Sequence, residues 1–135
     1  MKPNYTAVLS NKKIVNKFSE FMTNTYGKVN LEINKLISKS GRGRKIALYP
    51  ASHLIFSALN ESKLAEANIV GIFDIDTKKH GKVILGIEIF PAEKLIEASP
   101  SLILVFSMAY EREIRDSFSK MGLTAEVISI TQLME

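Results

Sequence analysis

The sequence predicts an α/β domain in which a mainly parallel sheet carries helices on both faces. Hydrophobic runs of about five residues alternate with amphipathic segments of about ten, the pattern of repeated β-α-β units. The runs are continuously apolar, as expected for strands that are buried on both faces. The chain has 135 residues, 46% hydrophobic and 24% charged, which suits a single globular domain.

From residue 45 onward the predicted order is strand, helix, strand, strand, helix, strand, helix, strand. Pro91 is expected at the first position of its helix, where its missing N–H costs nothing, and Gly122 is expected to end the last helix. With right-handed crossovers, this order predicts a small Rossmann-like domain with strand order 3-2-1-4-5. The strands are predicted at 45–49, 69–73, 87–90, 101–106 and 126–130, and the helices at 52–61, 91–98 and 110–121.

Residues 1–44 are predicted to form a two-helix extension and a basic linker, ahead of a sheet domain over 45–135. Gly27 is expected to end the first helix. Two apolar faces cannot stay uncovered in water. One face can lie on the sheet domain, and the other is expected to pack on a two-fold partner, giving a homodimer whose interface includes residues 10–38. The alternative is that both helices fold back on their own domain. The two faces consist of Ile14, Phe18, Phe21 and Met22, and of Val29, Ile33, Leu36 and Ile37.

Charge is distributed unevenly along the chain. Residues 1–45 carry ten Lys and Arg against two acids, a net of +8, whereas residues 46–135 have a net of −4. The basic cluster at 39–45 contains no aromatic residue, which disfavours single-stranded nucleic-acid binding. A solvated linker is the simplest interpretation. Docking of the basic part on the acidic remainder, in cis or across a dimer, is the other alternative.

The sequence contains no cysteine, which excludes disulfides, thiolate metal sites and cysteine nucleophiles. It also has neither a secretory signal pattern nor an apolar run approaching the roughly 20 residues of a membrane helix. These features favour a cytoplasmic protein that does not insert into a membrane. The sequence identifies no cofactor.

A ligand site is expected at the carboxyl ends of the strands, because parallel sheets bind ligands beside the point where strand order reverses. Four strand ends should meet at this edge and bind a phosphorylated or nucleotide ligand. The candidate binding residues are Pro50, Ala51, Ser52, His53, Asp74, Asp76, Ser107 and Tyr110.

The turn after the first strand departs from dinucleotide-binding sequences. Pro50, Ser52 and Ile55 occupy the three positions where a G-x-G-x-x-G loop has glycine, which disfavours conventional NAD binding. A helix still begins here and can receive an anion at its N-terminus. Alternatively, Ser52 is simply the residue that caps this helix.

The remaining candidates also have two interpretations each. Asp74 lies 24 residues after Pro50, near the roughly 20-residue spacing of a ribose-binding acid, but Asp also initiates turns. His53 could contact a phosphate or exchange protons, or it could be a partly exposed structural residue. Asp74 and Asp76 lack a third ligand, so no metal site is predicted.

Several segments carry a family resemblance: Tyr49-Pro50-Ala51-Ser52, Ile69 to Asp76, Lys79 to Ile89 and Glu113-Ile114. They resemble Rossmann-like nucleotide-binding domains of bacterial sugar and surface-polysaccharide enzymes. The similar domains are the N-terminal domain of nucleotide-sugar dehydratases and of sugar acyltransferases, and the C-terminal domain of sugar C-methyltransferases. The resemblance implies a nucleotide or nucleotide-sugar ligand, although the glycines of those families are missing here.

Three functions remain open. The first is a non-catalytic or accessory module that binds such a ligand and acts with a separate enzyme. The second is a small sugar-nucleotide-modifying enzyme or subunit, with His53, Asp74 and Tyr110 as the acid and base groups. The third is a structural dimeric assembly protein with a degenerate site. Nucleic-acid binding through residues 39–45 is the least favoured, because this cluster precedes the first strand and lies away from the carboxyl edge.

Overall fold

A six-stranded sheet forms the middle layer of the protein. The computed structural model describes residues 27–39 and 43–135. Its strands are β1 Lys45–Tyr49, β2 Asn68–Asp74, β3 Val83–Ile84, β4 Ile87–Pro91, β5 Leu102–Val105 and β6 Glu126–Ser129. They lie in the order β3-β4-β2-β1-β5-β6. All neighbours pair in parallel except β3, which joins β4 antiparallel at the edge. The predicted α/β class is confirmed. The five parallel strands follow the order 3-2-1-4-5, but the sheet differs from the predicted order by the antiparallel strand β3, which is added beyond β4.

Helices cover both faces of this sheet. The helices are α1 over residues 27–39, α2 His53–Glu61, α3 Lys94–Ala98, α4 Glu111–Lys120 and α5 Ile130–Leu133, with a 3-10 helix at Lys63–Glu66. Helices α1, α2 and α5 pack on one face, here called the first face. Helices α3 and α4 pack on the other, the second face. The faces separate because side chains alternate along each strand, so that Leu48 of β1 points to the first face and Tyr49 to the second.

The core contains the residues that the hydrophobic runs predict. These runs predict six core residues, one of which is Ile128. Five of the six are almost completely buried, and Ile128 is half-buried. Its strand, β6, lies at the edge of the sheet, where one side has no neighbouring strand. The five buried residues are Ile46, Leu48, Ile72, Leu104 and Val105.

Two local predictions for the sheet domain are wrong. Pro91 does not open a helix but ends β4, opposite Asp74 of β2, and α3 begins only at Lys94. A proline is tolerated there because the amide of Ala92, not that of residue 91, donates to the carbonyl oxygen of Asp74 at 3.1 Å, and β3 pairs only with Ile87 and Glu88. Ile130 does not end the last strand but begins α5, since the backbone amide of Ser129 is capped by the Gln132 side chain at 2.9 Å.

The second of the two predicted N-terminal helices packs on its own sheet. Val29, Ile33 and Ile37 of α1 are buried in the first-face cluster, so these side chains are not available to a partner. Gly27 was expected to end the preceding helix but lies within the helical segment itself. The apolar face predicted for the first helix lies outside the described residues.

Polar contacts hold α1 to the rest of the domain. Lys28 Nζ donates to the carbonyl oxygens of Met134 and Glu135, at 3.0 and 2.8 Å. Asn34 accepts a hydrogen bond from the amide of Lys63 at 2.6 Å. Beyond the helix, Arg44 pairs with Glu126 of β6. The described part of residues 1–45 therefore packs against residues 46–135 of the same chain.

Within residues 27–39 and 43–135, no helix combines the length and apolarity needed to cross a membrane.

Candidate functional site

Two cavities open at the carboxyl edge of the sheet, one on each face. The α2-side cavity has a volume of about 520 Å³ and the α4-side cavity about 500 Å³. Pro50 and Lys79 line both, so they lie where the cavities adjoin. The α2-side cavity is also lined by Ala51, Ser52, His53, Phe56, Ile84 and Ile89. The α4-side cavity is also lined by Tyr49, Asp74, Ile75, Ser107, Tyr110, Glu113, Ile114 and Ser117.

Asp74 organises the two turns between these cavities. The residue is 4% exposed. One carboxylate oxygen accepts from the amide of Ala51 at 3.0 Å, and the other from the amide of Asp76 at 2.9 Å. This is the geometry of the turn-forming alternative. The Ala51 amide, which a glycine-rich loop would offer to a phosphate, is thereby already hydrogen-bonded to a carboxylate. A ribose contact by Asp74 stays a prediction.

Lys79 supplies the cation at the junction of the cavities. Its ammonium group donates to the carbonyl oxygen of Ala51 at 2.8 Å and lies 3.6 Å from the nearer carboxylate oxygen of Asp74. The side chain is nevertheless 43% exposed. The candidate residues chosen from the sequence did not include Lys79, although it lies in the Lys79-His80-Gly81-Lys82 segment that carries part of the family resemblance.

The loop that bears Lys79 is held in place by hydrogen bonds at both ends. Asp76 accepts from the amide of Lys78 at 3.0 Å, and a ring nitrogen of His80 lies 2.7 Å from the carbonyl oxygen of Asp74. Gly81 donates to the carbonyl of Ile89 at 2.9 Å. Asp76 itself lines neither cavity, so its role is to shape this loop. These hydrogen bonds position Lys79 at the junction of the two cavities.

Ser52 occupies the N-cap position of α2, but its side chain does not cap the helix. Its hydroxyl donates instead to the carbonyl of Phe106, just past the end of β5, at 3.1 Å. The amide of Phe106 in turn donates to the carbonyl of Tyr49 at 2.6 Å. Ser52 therefore ties the turn after β1 to the neighbouring strand end, and the expected capping bond is absent.

The three candidate acid and base groups do not converge. His53 is exposed at the start of α2 and lines the α2-side cavity. Tyr110 is 66% exposed at the start of α4 and lines the α4-side cavity, as does the buried Asp74. Ser107 accepts from the amide of Tyr110 at 3.3 Å and so shapes the turn before α4.

The start of α4 is also held by contacts to the C-terminal residues. Glu111 accepts hydrogen bonds from Thr131 at 2.6 Å and from Arg115 at 3.2 Å. Its pKa is lowered, first by hydrogen bonds from Thr131 and Ser129 and then by Arg115. These bonds hold the start of α4, whose residues form one wall of the α4-side cavity.

Tyr49 forms part of the floor of the α4-side cavity. Burial raises the pKa of its phenol, and the negative charge of Asp74 raises it further. Its ring packs edge-on against Phe118, with ring centroids 5.0 Å apart. In the part of the chain that the structure describes, no group of three or more His, Asp or Glu side chains is arranged to hold a metal ion.

A family model described as the C-methyltransferase C-terminal domain matches residues 5–127. The chain belongs to this family. Of the resemblances that the motifs predict, the one to C-methyltransferases is therefore confirmed. No curated protein and no solved structure matches the chain significantly.

The C-methyltransferase C-terminal domain match includes every residue that lines the two cavities, from Tyr49 to Ser117. It also extends through α1 to Val127 in β6. The site described above thus lies in the part of the chain that defines the family.

Proposed function

We propose that this chain is an accessory, non-catalytic module that binds a nucleotide, a nucleotide-sugar or a related phosphorylated ligand at the carboxyl edge of its sheet. It would present this ligand to a separate enzyme of sugar or polysaccharide metabolism. The observation that carries the proposal is the position of Lys79, a fixed and partly exposed cation at the junction of two ligand-sized cavities.

The ammonium group of Lys79 has capacity left for a phosphate. It has three N–H donors. The Ala51 carbonyl takes one, and Asp74 lies beside the group at ion-pair distance. A remaining donor can meet a phosphate oxygen, which forms a strong charge-assisted hydrogen bond with a cation. Both cavities lie within the range of roughly 300–1,000 Å³ that is typical of small-molecule sites.

The separation of the acid and base groups supports a binding role over a catalytic one. General acid–base catalysis requires groups within hydrogen-bond reach of one reacting centre. His53 lies on a different cavity from Tyr110, and Asp74 is engaged with backbone amides. The family match supports a methyltransferase-related module, because the matching model describes a C-terminal domain of C-methyltransferases.

Thermal unfolding and calorimetry with a ligand panel test the proposal. The panel contains pyrophosphate, nucleoside diphosphates, nucleotide-sugars, NAD, NADP, coenzyme A and S-adenosylmethionine. A ligand present at 100 times its Kd should add about 2.7 kcal/mol to the free energy of unfolding. Phosphate-bearing ligands should stabilise the wild-type chain, and the Lys79→Gln variant should lose this effect.

Lys78→Gln is the matched control, since Lys78 is an exposed neighbour that lines neither cavity. It should bind as the wild type does. Equal binding by Lys79→Gln and Lys78→Gln would contradict the role of Lys79. If the panel contains no ligand, the binding function itself is wrong.

We also propose that the chain forms a homodimer through its N-terminal segment. Val29, Ile33 and Ile37 are used within the domain, but Leu31 on the same helix is 62% exposed. The interface would thus use Leu31 and the apolar positions predicted within residues 10–26. Light scattering at high micromolar concentration should give twice the 15.1 kDa chain mass. A monomeric mass would contradict the dimer.

A further inference from the structure

The second face of the sheet carries a groove that is separate from the two cavities at the carboxyl edge. It lies between β2, β4 and α3, has a volume of about 300 Å³ and shares no lining residue with either cavity. Its lining is apolar except at the border, where one lysine and one glutamate stand. The lining residues are Val70, Phe73, Phe90, Lys94, Glu97 and Ala98.

The short length of α3 leaves this groove open. This helix has only five residues and contacts β2 and β4, so that Val70, Phe90 and Ala98 stay partly exposed. Val83 of β3 lies opposite Glu88 and is 58% exposed. Glu88 is on the same face as Phe90, because alternate residues of a strand share a face. Among residues 27–39 and 43–135, the groove and the strand beside it thus form an apolar surface without a covering helix.

The border of the groove is acidic. Glu88, Glu93 and Glu97 are all exposed there, and Glu93 and Glu97 are one helical turn apart. Lys94 is the only cation among the lining residues and pairs with Glu97 at 3.4 Å. These four side chains have a net charge of −2. Complementary charge favours an occupant that carries basic groups beside its apolar ones.

Residues 10–22 of this chain have that composition. They contain three lysines and one acid, a net charge of +2. The apolar face predicted from their helical spacing includes the aromatic residues Phe18 and Phe21. Aromatic side chains are enriched at the centre of protein interfaces. The groove is too small for a whole helix but suits single rings of this kind.

The groove is out of reach for this segment of its own chain. The segment is joined to α1, which packs on the first face, where Lys28 binds the carbonyl oxygens of Met134 and Glu135. Helices on opposite faces of a sheet have axes on the order of 20 Å apart. The five residues from Met22 to Gly27 span at most about 18 Å. They cannot pass around the sheet edge, so the occupant comes from another copy.

We infer that residues 10–22 of one copy dock in the second-face groove of a second copy, with Phe18 and Phe21 against the Phe90 ring and the lysines beside the acidic border. The exchange is reciprocal, so that the interface closes with two-fold symmetry. This inference rests on the proposed homodimer and names the surface that receives its N-terminal segment.

Light scattering of the full chain over a range of concentrations tests the groove. Ala98→Arg fills the groove and adds a positive charge, and it should raise the dimer dissociation constant by roughly 30-fold or more, as should Phe18→Ala. Ile96→Arg is the matched control, because Ile96 is 56% exposed on the same helix and does not line the groove. It should dimerise as the wild type does.

Circular dichroism checks that each variant is folded. If Ala98→Arg does not fold, Glu97→Lys takes its place, because Glu97 is exposed at the border of the groove. It should weaken the dimer for the same electrostatic reason.

Mixing two variants tests the exchange between copies. Phe18→Ala retains an intact groove, and Ala98→Arg retains an intact N-terminal segment. At a concentration where each alone is monomeric, the mixture should contain a species of twice the 15.1 kDa chain mass. A contact within one chain cannot be restored by mixing.

The outcomes separate this inference from the homodimer on which it rests. If Ala98→Arg dimerises as tightly as the wild type, the dimer stands and the groove assignment is overturned. If both variants are monomeric and their mixture contains no dimer, the exchange is overturned. If the wild-type chain is monomeric at high micromolar concentration, the homodimer and this inference are both wrong.

Discussion

The two faces of the sheet are filled in different ways. On the first face, the buried side chains are almost all aliphatic. Three helices, α2, α5 and α1 from the N-terminal segment, pack them against the strands. Among the described residues, the second face is covered by two helices, one of them five residues long, and it contains Tyr49, Phe73 and Phe118. Large rings bury more area per residue than aliphatic side chains do. The second face can therefore be covered by less helix, whereas the first depends on α1.

The two cavities differ in the same way as the two faces of the sheet. Each opens where a helix meets the carboxyl edge on its own face, and each is lined by residues of that helix. The α2-side cavity is walled by first-face aliphatic residues and one exposed ring. The α4-side cavity has the Tyr49 floor and the polar side of α4. Contrasting packing thus produces two neighbouring cavities with contrasting linings.

The largest expected effect is the loss of an aromatic ring from the second face. Phe118 is 3% exposed and packs edge-on against Tyr49. Phe118→Ala should lower the free energy of unfolding by about 3–5 kcal/mol. On the first face, Leu104→Ala should cost about 2–5 kcal/mol. Urea unfolding measures both. A loss for Phe118→Ala well below that for Leu104→Ala would contradict the importance of rings on this face.

The dependence of the first face on α1 is tested by Ile33→Ala. Ile33 is completely buried, so the variant should lose about 2–5 kcal/mol in a single unfolding transition. Lys39→Ala, at an exposed position of the same helix, should change stability by only about 0.5 kcal/mol. Equal, small effects of the two substitutions would show that α1 does not contribute to the cooperative core.

A backbone position on β2 affects the second face alone. Gly71 lies at a register shift between β1 and β2 with φ of 153°, and an added Cβ would come within 2.8 Å of the Phe90 ring. Gly71→Ala should cost about 1–3 kcal/mol, through backbone strain and displacement of that ring. Gly43→Ala is the control, because nothing lies within 4 Å of its added Cβ. Adding Phe90→Ala should recover the steric part of the loss. If the urea midpoint of Gly71→Ala equals that of the wild type, the predicted strain at Gly71 is wrong.

The smallest effect concerns the response of Tyr49 to high pH. Because its folded pKa is raised above the ordinary value near 10, Tyr49 is more easily ionised in the unfolded chain. The stability that it contributes is fully present below about pH 10 and is lost as the pH rises through the folded pKa. Unfolding measured between about pH 8 and 11 should therefore lose less stability in Tyr49→Phe than in wild type. If the free energy of unfolding changes with pH by the same slope in both proteins, this linkage is contradicted.

The local pattern of the sequence was sufficient for the framework of the fold. Continuous apolar runs identified β1, β2 and β5, since a strand buried on both faces has no polar side to interrupt the run. The alternation of strands and helices then predicted a parallel sheet and its order. Helical spacing likewise identified the face of α1 that contains Ile33. It did not say which surface covers that face, because a partner chain and the chain's own sheet are equally apolar.

The sequence predicted only part of the candidate site. The sequence placed Pro50, Asp74 and Tyr110 at one edge, because parallel strands end together. It missed Lys79, whose position depends on contacts between distant parts of the chain. It also missed Phe56, which lines the α2-side cavity. Lys79 reaches the Ala51 carbonyl 28 residues away, and Ser52 turns from its helix to Phe106, 54 residues away. Periodicity reports which face of an element is apolar, but only the tertiary structure decides which partner lies opposite a polar side chain.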